Sequence, residues 1–104
     1  MSYPEWPNRI GERGENELPD GSIEKFTIED EIGLAQSNLP GNKVFYLQKI
    51  QFDDGKTELR LGYYIIGKKE GRMKGKWVWG QFAPFVPAED FRAIMDAAHR
   101  KGWI

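Results

Sequence analysis

From Phe26 onward apolar residues fall on alternate positions, and that alternation predicts most of the elements in this chain. Phe26, Ile28, Ile32 and Leu34 share parity, with Asp30 the one break, so a first strand carrying these four residues on one face is expected. Thr27-Ile28-Glu29-Asp30 also has the form of a helix capping box, but Gly33 and the β-branched isoleucines favour the strand. Asn38-Leu39-Pro40-Gly41-Asn42 is a turn cluster. A second strand follows over Lys43–Phe52, with Val44, Tyr46, Ile50 and Phe52 on one face and Lys43, Phe45, Leu47, Lys49 and Gln51 on the other. Asp54-Gly55 then signals a hairpin. The third strand, Thr57–Ile66, places Leu59, Leu61, Tyr63 and Ile65 on one face and Glu58, Arg60, Gly62, Tyr64 and Ile66 on the other. Residues 67–75 form a glycine-bounded loop, and a fourth strand is expected over residues 76–85, where Pro84 lacks a ladder donor and marks an edge.

After Phe85 the period changes to that of a helix. Pro87 suits the first helical position, and Glu89 and Asp90 complement the positive end of the helix dipole. Phe91, Ile94, Met95 and Ala98 make an apolar stripe at the i, i+3, i+4, i+7 spacing. Arg100 and Lys101 suit the C-terminal end, Gly102 the left-handed position beyond it, and Trp103 should fold back towards Ala98. The predicted fold is therefore α+β: a four-stranded antiparallel sheet followed by one C-terminal helix, ββββα. Residues 1–22 read differently. Pro4, Pro7, Pro19, Gly11, Gly14 and Gly21 interrupt them, acid is in excess, and only Tyr3 and Trp6 could anchor them. Such a segment buries too little surface to offset its ordering entropy, so a flexible acidic arm (1–22) is expected before a single domain (23–104).

Composition narrows the chemistry. The 104 residues suit one domain. With no Cys, disulfides, thiol catalysis and cysteine-held metals are excluded, and the single His99 cannot build a multi-histidine site in one chain. His99 is read as a partner of terminal carbonyls or solvent. The serines Ser2, Ser22 and Ser37 stand in no recognisable nucleophile setting, and Gly67, Gly71 and Gly75 match no phosphate-loop or dinucleotide fingerprint. Asp53-Asp54 and Glu29-Asp30-Glu31 are read as turn and strand-surface carboxylates rather than a cation site. The expectation is no enzyme, no cofactor and no metal. No apolar run reaches the about 18 residues of a membrane span, so a soluble cytoplasmic protein is expected, nucleoid-associated if it binds DNA.

Net charge is −1, but it is unevenly spread. Residues 1–42 carry three basic and nine acidic residues, residues 43–82 nine basic and four acidic, and residues 83–104 three of each. The basic middle holds Lys68, Lys69, Arg72, Lys74 and Lys76 around the single Glu70, extended by Lys43, Lys49 and Arg60. Phe45, Tyr46, Tyr63, Tyr64, Trp77 and Trp79 interleave with them. Cations with flat rings are what single-stranded nucleic acid requires, phosphates for the former and bases for the latter. A solvated hairpin tip guarded by lysines is the competing reading of the loop. The two tryptophans are open to two readings as well: outward-facing rings on the sheet, or core residues beside a bend at Gly80.

Residues 26–101 resemble, in order, the single-stranded DNA-binding domain of the transcriptional coactivator family called positive cofactor four, particularly its small bacterial members. The resemblance is carried by Phe26-Thr27-Ile28-Glu29-Asp30-Glu31-Ile32-Gly33, by Glu58-Leu59-Arg60, by Gly71-Arg72-Met73-Lys74-Gly75-Lys76 and by Pro87-Ala88-Glu89-Asp90-Phe91 at the start of the helix. The sequence departs from the family where Trp77-Val78-Trp79-Gly80 replaces its usual Gly-Ile-Ser/Thr-Leu strand. The resemblance implies a curved sheet, a homodimer through the C-terminal helix, and single-stranded DNA or RNA on the sheet, in transcription or DNA maintenance. The expected contacts are Lys68, Lys69, Arg72, Lys74 and Lys76 on phosphates, Lys49 and Arg60 extending the track, and Tyr64, Trp77 and Trp79 stacking bases. A protein–protein interaction module, or a small accessory subunit of a larger assembly, is the alternative.

Overall fold

The structure is a computed structural model that describes residues 5–37, 43–67, 74–80 and 85–104. Among these residues the order is β1 (Arg13–Glu17), β2 (Ile23–Ala35), β3 (Lys43–Phe52), β4 (Thr57–Ile66), β5 (Trp77–Trp79) and α1 (Ala88–Arg100). The strands pair antiparallel in chain order, so the sheet is a meander. The α+β expectation holds at this level, but the sheet has five strands rather than four.

The additional strand comes from the segment expected as an arm. Arg13 to Glu17 pairs with β2, Arg13 opposite Thr27 and Glu17 opposite Ile23. The residues that suggested disorder are turn chemistry. The Gly21 N–H donates to the Leu18 carbonyl at 2.8 Å with Gly21 at φ 87°, and Asp20 Oδ1 accepts from the Ser22 N–H at 2.9 Å and the Ser22 hydroxyl at 2.6 Å. A Pro-Asp-Gly turn thus reverses the chain and lets a polar strand borrow a partner. Further out, the Ile28 N–H donates to the Glu12 carbonyl at 2.9 Å and the Gly11 N–H to the Ile28 carbonyl at 2.7 Å, carrying the pairing beyond β1.

β3 is the middle of the sheet and is covered on both sides. On one, Phe45 and Leu47 with Tyr63 of β4 pack against Ile94 and Ala98 of α1. On the other, Val44 and Tyr46 pack with Tyr64, Trp77 and Trp79, and Phe26, Ile28, Ile50 and Phe52 continue that surface. Periodicity assigned the faces of β3 and β4 as observed. In β2 it did not. Ile28 pairs with Ile50 and Asp30 with Lys49, leaving Glu29 as an extra residue in a bulge. One inserted residue reverses the parity of all that follows. Phe26 and Ile28 therefore stay opposite the helix, while Ile32 and Leu34 pack on the helix side. The four do not share one face as their parity implied, and Asp30 is no break: it ion-pairs at 3.1 Å with Lys101 beside the helix end. The sheet curls away from α1, since Gly14 of β1 and Trp79 of β5, its two edges, line one cavity with Gln48 of the central strand.

The helix begins at Ala88 with Pro87 as its N-cap, one residue later than the spacing suggests. The Ser37 N–H donates to Asp90 Oδ2 and its hydroxyl to Glu89 Oε1, both at 3.0 Å, fastening the helix start to the end of β2. The other end closes as expected. Gly102 is left-handed at φ 77°, its N–H donates to His99, and the Trp103 N–H donates to Ala98 at 2.9 Å. Of the expected fourth strand, Trp77–Trp79 forms β5. Residues 81–84, the 38–42 turn and residues 68–73 lie outside the described residues. Among the described residues no helix is long and apolar enough to cross a membrane.

Candidate functional site

Three polar side chains from adjacent strands stand in a row across the concave face. Glu31 of β2 is opposite Gln48 of β3, and Gln48 is opposite Arg60 of β4. Gln48 is fully buried, so its amide needs partners. Its Nε2 donates to Glu31 Oε1 at 3.0 Å, and its Oε1 accepts from Arg60 Nε at 2.9 Å and Nη2 at 2.7 Å. The second Glu31 oxygen accepts the Arg9 backbone N–H at 2.8 Å. The half-buried Arg60 guanidinium lies 5.2 Å from the ring centre of Phe26 and 5.1 Å from that of Trp79. Burial pulls its pKa below the usual arginine value, which still leaves it charged.

Arg60 is unusual among the cations around it. Arg13 is held by Asp53 at 2.6 and 2.7 Å, Lys56 by Glu24 at 2.6 Å, Lys49 by Glu29 at 3.7 Å and Arg9 by Glu12 at 3.1 Å. The antiparallel pairing lays the acidic first part of the chain beside the basic middle, so Lys49 and Lys56 meet Glu29 and Glu24 across strands. Arg60 has no carboxylate within ion-pairing distance among the described residues. Its only hydrogen-bond acceptor there is the neutral amide of Gln48.

The upper part of the concave face is closed by residues preceding β1. The Tyr46 hydroxyl donates to the Pro7 carbonyl at 2.6 Å, and Arg9 Nε donates to the Tyr64 hydroxyl at 2.9 Å. Burial, with Glu31 adding to it, pushes the Tyr46 phenol up to about 12. Tyr64 meets Tyr46 and Trp79 edge-on, at 5.3 and 4.9 Å between ring centres. A Cβ at Gly62 would run into the Trp79 ring, so the absence of a side chain at 62 is what lets Trp79 lie down on β4. Below this, a cleft of about 310 Å³ is lined by Arg60, Phe26, Trp79, Glu12 and Glu15, among others, and a second of about 190 Å³ by Arg60, Phe26, Glu15 and Glu58. Arg60 is common to both.

The ten sequence-predicted site residues are thus divided. Arg60, Tyr64, Trp77 and Trp79 come together on the concave face. Tyr64 is buried, so it supports Trp79 rather than offering a ring to a base. Trp77 and Trp79 combine the two readings left open: they sit opposite the helix, pack on Tyr64, and remain partly exposed. Lys49 lies on the helix side, paired with Glu29, and does not extend a track from Arg60. Lys74 and Lys76 are exposed just before β5. Lys68, Lys69 and Arg72 lie outside the described residues. Gln48, Glu31, Phe26 and Arg9 belong to the site and were not predicted. The legible signal was Gln48, a polar residue in the otherwise apolar row Val44, Tyr46, Ile50, Phe52. His99 stands at the helix end with Nδ1 3.2 Å from the Ile104 carbonyl. Among the described residues no three of His, Cys, Asp and Glu gather to hold a metal ion. No protein-family model, curated protein or solved structure matches this chain.

Proposed function

We propose that this chain is a non-enzymatic binding protein that takes single-stranded nucleic acid on the concave face of its sheet, in the service of transcription or DNA maintenance. The observation that carries the reading is Arg60, a half-buried guanidinium held between Phe26 and Trp79 with a neutral partner and, among the described residues, no carboxylate. A folded protein that desolvates a charge normally gives it a counter-charge, and an anionic ligand supplies the missing one. Trp79 adds a partly exposed ring beside it, Trp77 a second one further along the same strand, and Lys74 and Lys76 stand exposed at the same edge of the sheet. Phosphate contacts with ring stacking read little sequence, so binding should be sequence-tolerant and sensitive to salt. The homodimer expected through α1 has one support: Phe91 is 46% exposed on the helix and Phe85, just before it, 91% exposed.

The test is a titration of labelled oligo-dT by fluorescence anisotropy at several salt concentrations, with light scattering on the same sample for the mass. The expected result is binding that weakens steadily as salt rises. Absence of binding at low salt, or binding indifferent to salt, overturns the reading. Preference for duplex over single strand removes the stacking component.

A further inference from the structure

The proposed nucleic-acid reading treats the concave face as one groove, but its charges do not form a track. Arg60 commits its Nε–Nη2 edge to Gln48, and Gln48 is in turn held by Glu31. That relay fixes the plane of the guanidinium and leaves its Nη1 side without a protein acceptor among the described residues. The other arginines lining the same cleft, Arg9 and Arg13, are already paired with Glu12 and Asp53. The cleft walls beside Arg60 also carry Glu15 and Glu58, which have no cation paired with them among the described residues. A strand threading through both clefts would bring its flanking phosphates against these carboxylates, and like charges at close range are costly. One phosphate fits; a row of them does not.

We infer that the concave cleft is an end-binding site: the free Nη1 side of Arg60 grips the terminal phosphate of a single strand, with the terminal nucleoside in the cleft of about 310 Å³ beside Trp79. A cavity of that volume is at the lower end of those that hold small ligands, roughly 300–1,000 Å³. A terminal phosphomonoester carries about −1.5 to −2 charge at pH 7 and exposes three acceptor oxygens, where an internal phosphodiester carries a single charge. A lone guanidinium favours the former through its greater negative charge, while its two parallel N–H groups, which match two oxygens of either phosphate, fix the orientation. This inference rests on the nucleic-acid reading and adds which part of the strand is bound.

The experiment is isothermal titration calorimetry of the full chain with unlabelled oligo-dT of one length, ended by a 5′-phosphate, by a 3′-phosphate, or by hydroxyls at both ends. One phosphorylated end should bind roughly tenfold tighter than the hydroxyl-ended strand. The advantage should shrink as pH falls through about 6, where the dianionic monoester takes up a proton and becomes singly charged. The 5′ and 3′ arms show which end is taken. Arg60→Gln removes the charge that reads the extra negative charge of the monoester, and should reduce the advantage to about twofold or less. Equal, salt-dependent affinity for all three strands overturns the end-binding inference and leaves the nucleic-acid reading standing. Binding of none of them overturns both. An advantage that survives Arg60→Gln unchanged also overturns the assignment to Arg60, and the wild-type comparison decides the matter even if that variant does not fold.

Discussion

On the α1 side of the sheet Phe45, Leu47 and Tyr63 close against Ile94 and Ala98, while on the concave side Phe26, Tyr46 and Tyr64 share their space with Glu31, Gln48 and Arg60. Both sides are built on the same two strands, β3 and β4, from alternate residues. The centre of the helix side is apolar burial, which is how a domain of this size gains stability, with polar contacts such as Asp90 to Ser37 and Asp30 to Lys101 at the ends of the helix. The concave side carries a polar row that burial disfavours, kept because each member has a partner except at the outer edge of Arg60. The contrast teaches where to look for function in a small sheet protein: on the side where a half-buried cation lines an open cleft without a counter-charge.

The contrast can be broken from either side. Ile94→Ala, at a residue 1% exposed in the helix-side core, should cost about 3 kcal/mol in urea unfolding, as other large-to-small core changes do. Its folded fraction should keep the concave-side binding properties of the wild type. Gly62→Ala places a methyl group in the Trp79 ring and should cost about 1–3 kcal/mol. Its signature is separate: Trp79 must leave its place over Arg60, which near-ultraviolet circular dichroism will register, whereas a change confined to the helix side would leave that signal intact.

Tyr46 gives the smallest effect and the sharpest. Its phenol is raised from 10 to about 12 in the folded chain, so the fold favours the neutral form. The stabilisation is fully present below pH 10 and is lost as pH rises through 12. Unfolding midpoints measured across that window should fall for the wild type and fall less for Tyr46→Phe. At neutral pH the same substitution removes the hydrogen bond to Pro7 and should cost about 1 kcal/mol.

Much of the scaffold was legible along the chain. Both sides of β3 and β4 could be read from strict alternation, because the period of a strand is two and each side meets an apolar partner. The helix and its close at Gly102 could be read because spacing and a left-handed glycine are local properties. β1 was not legible: Arg13-Gly14-Glu15-Asn16-Glu17 has no apolar face, and only the Pro-Asp-Gly turn and the free edge of β2 make it a strand. Of the site, the types were visible and the grouping was not. Arg60, Trp77 and Trp79 stood out as cation and rings, yet nothing local separates Arg60 from Lys49.

What the sequence determined by itself is therefore β2, β3, β4 and α1 as elements, the faces of the central strands and the excess of cations over acids in residues 43–82. What only the tertiary structure decided is which of those cations stay unpaired. The bulge at Glu29 shifts parity by one residue, sends Ile32 and Leu34 to the helix side and brings Glu31 into line with Gln48 and Arg60. Cross-strand register then gives Lys49 a carboxylate and Arg60 an amide. The physical reason is that alternation is a property of each strand alone, whereas a charge is neutralised or left bare by the strand next to it.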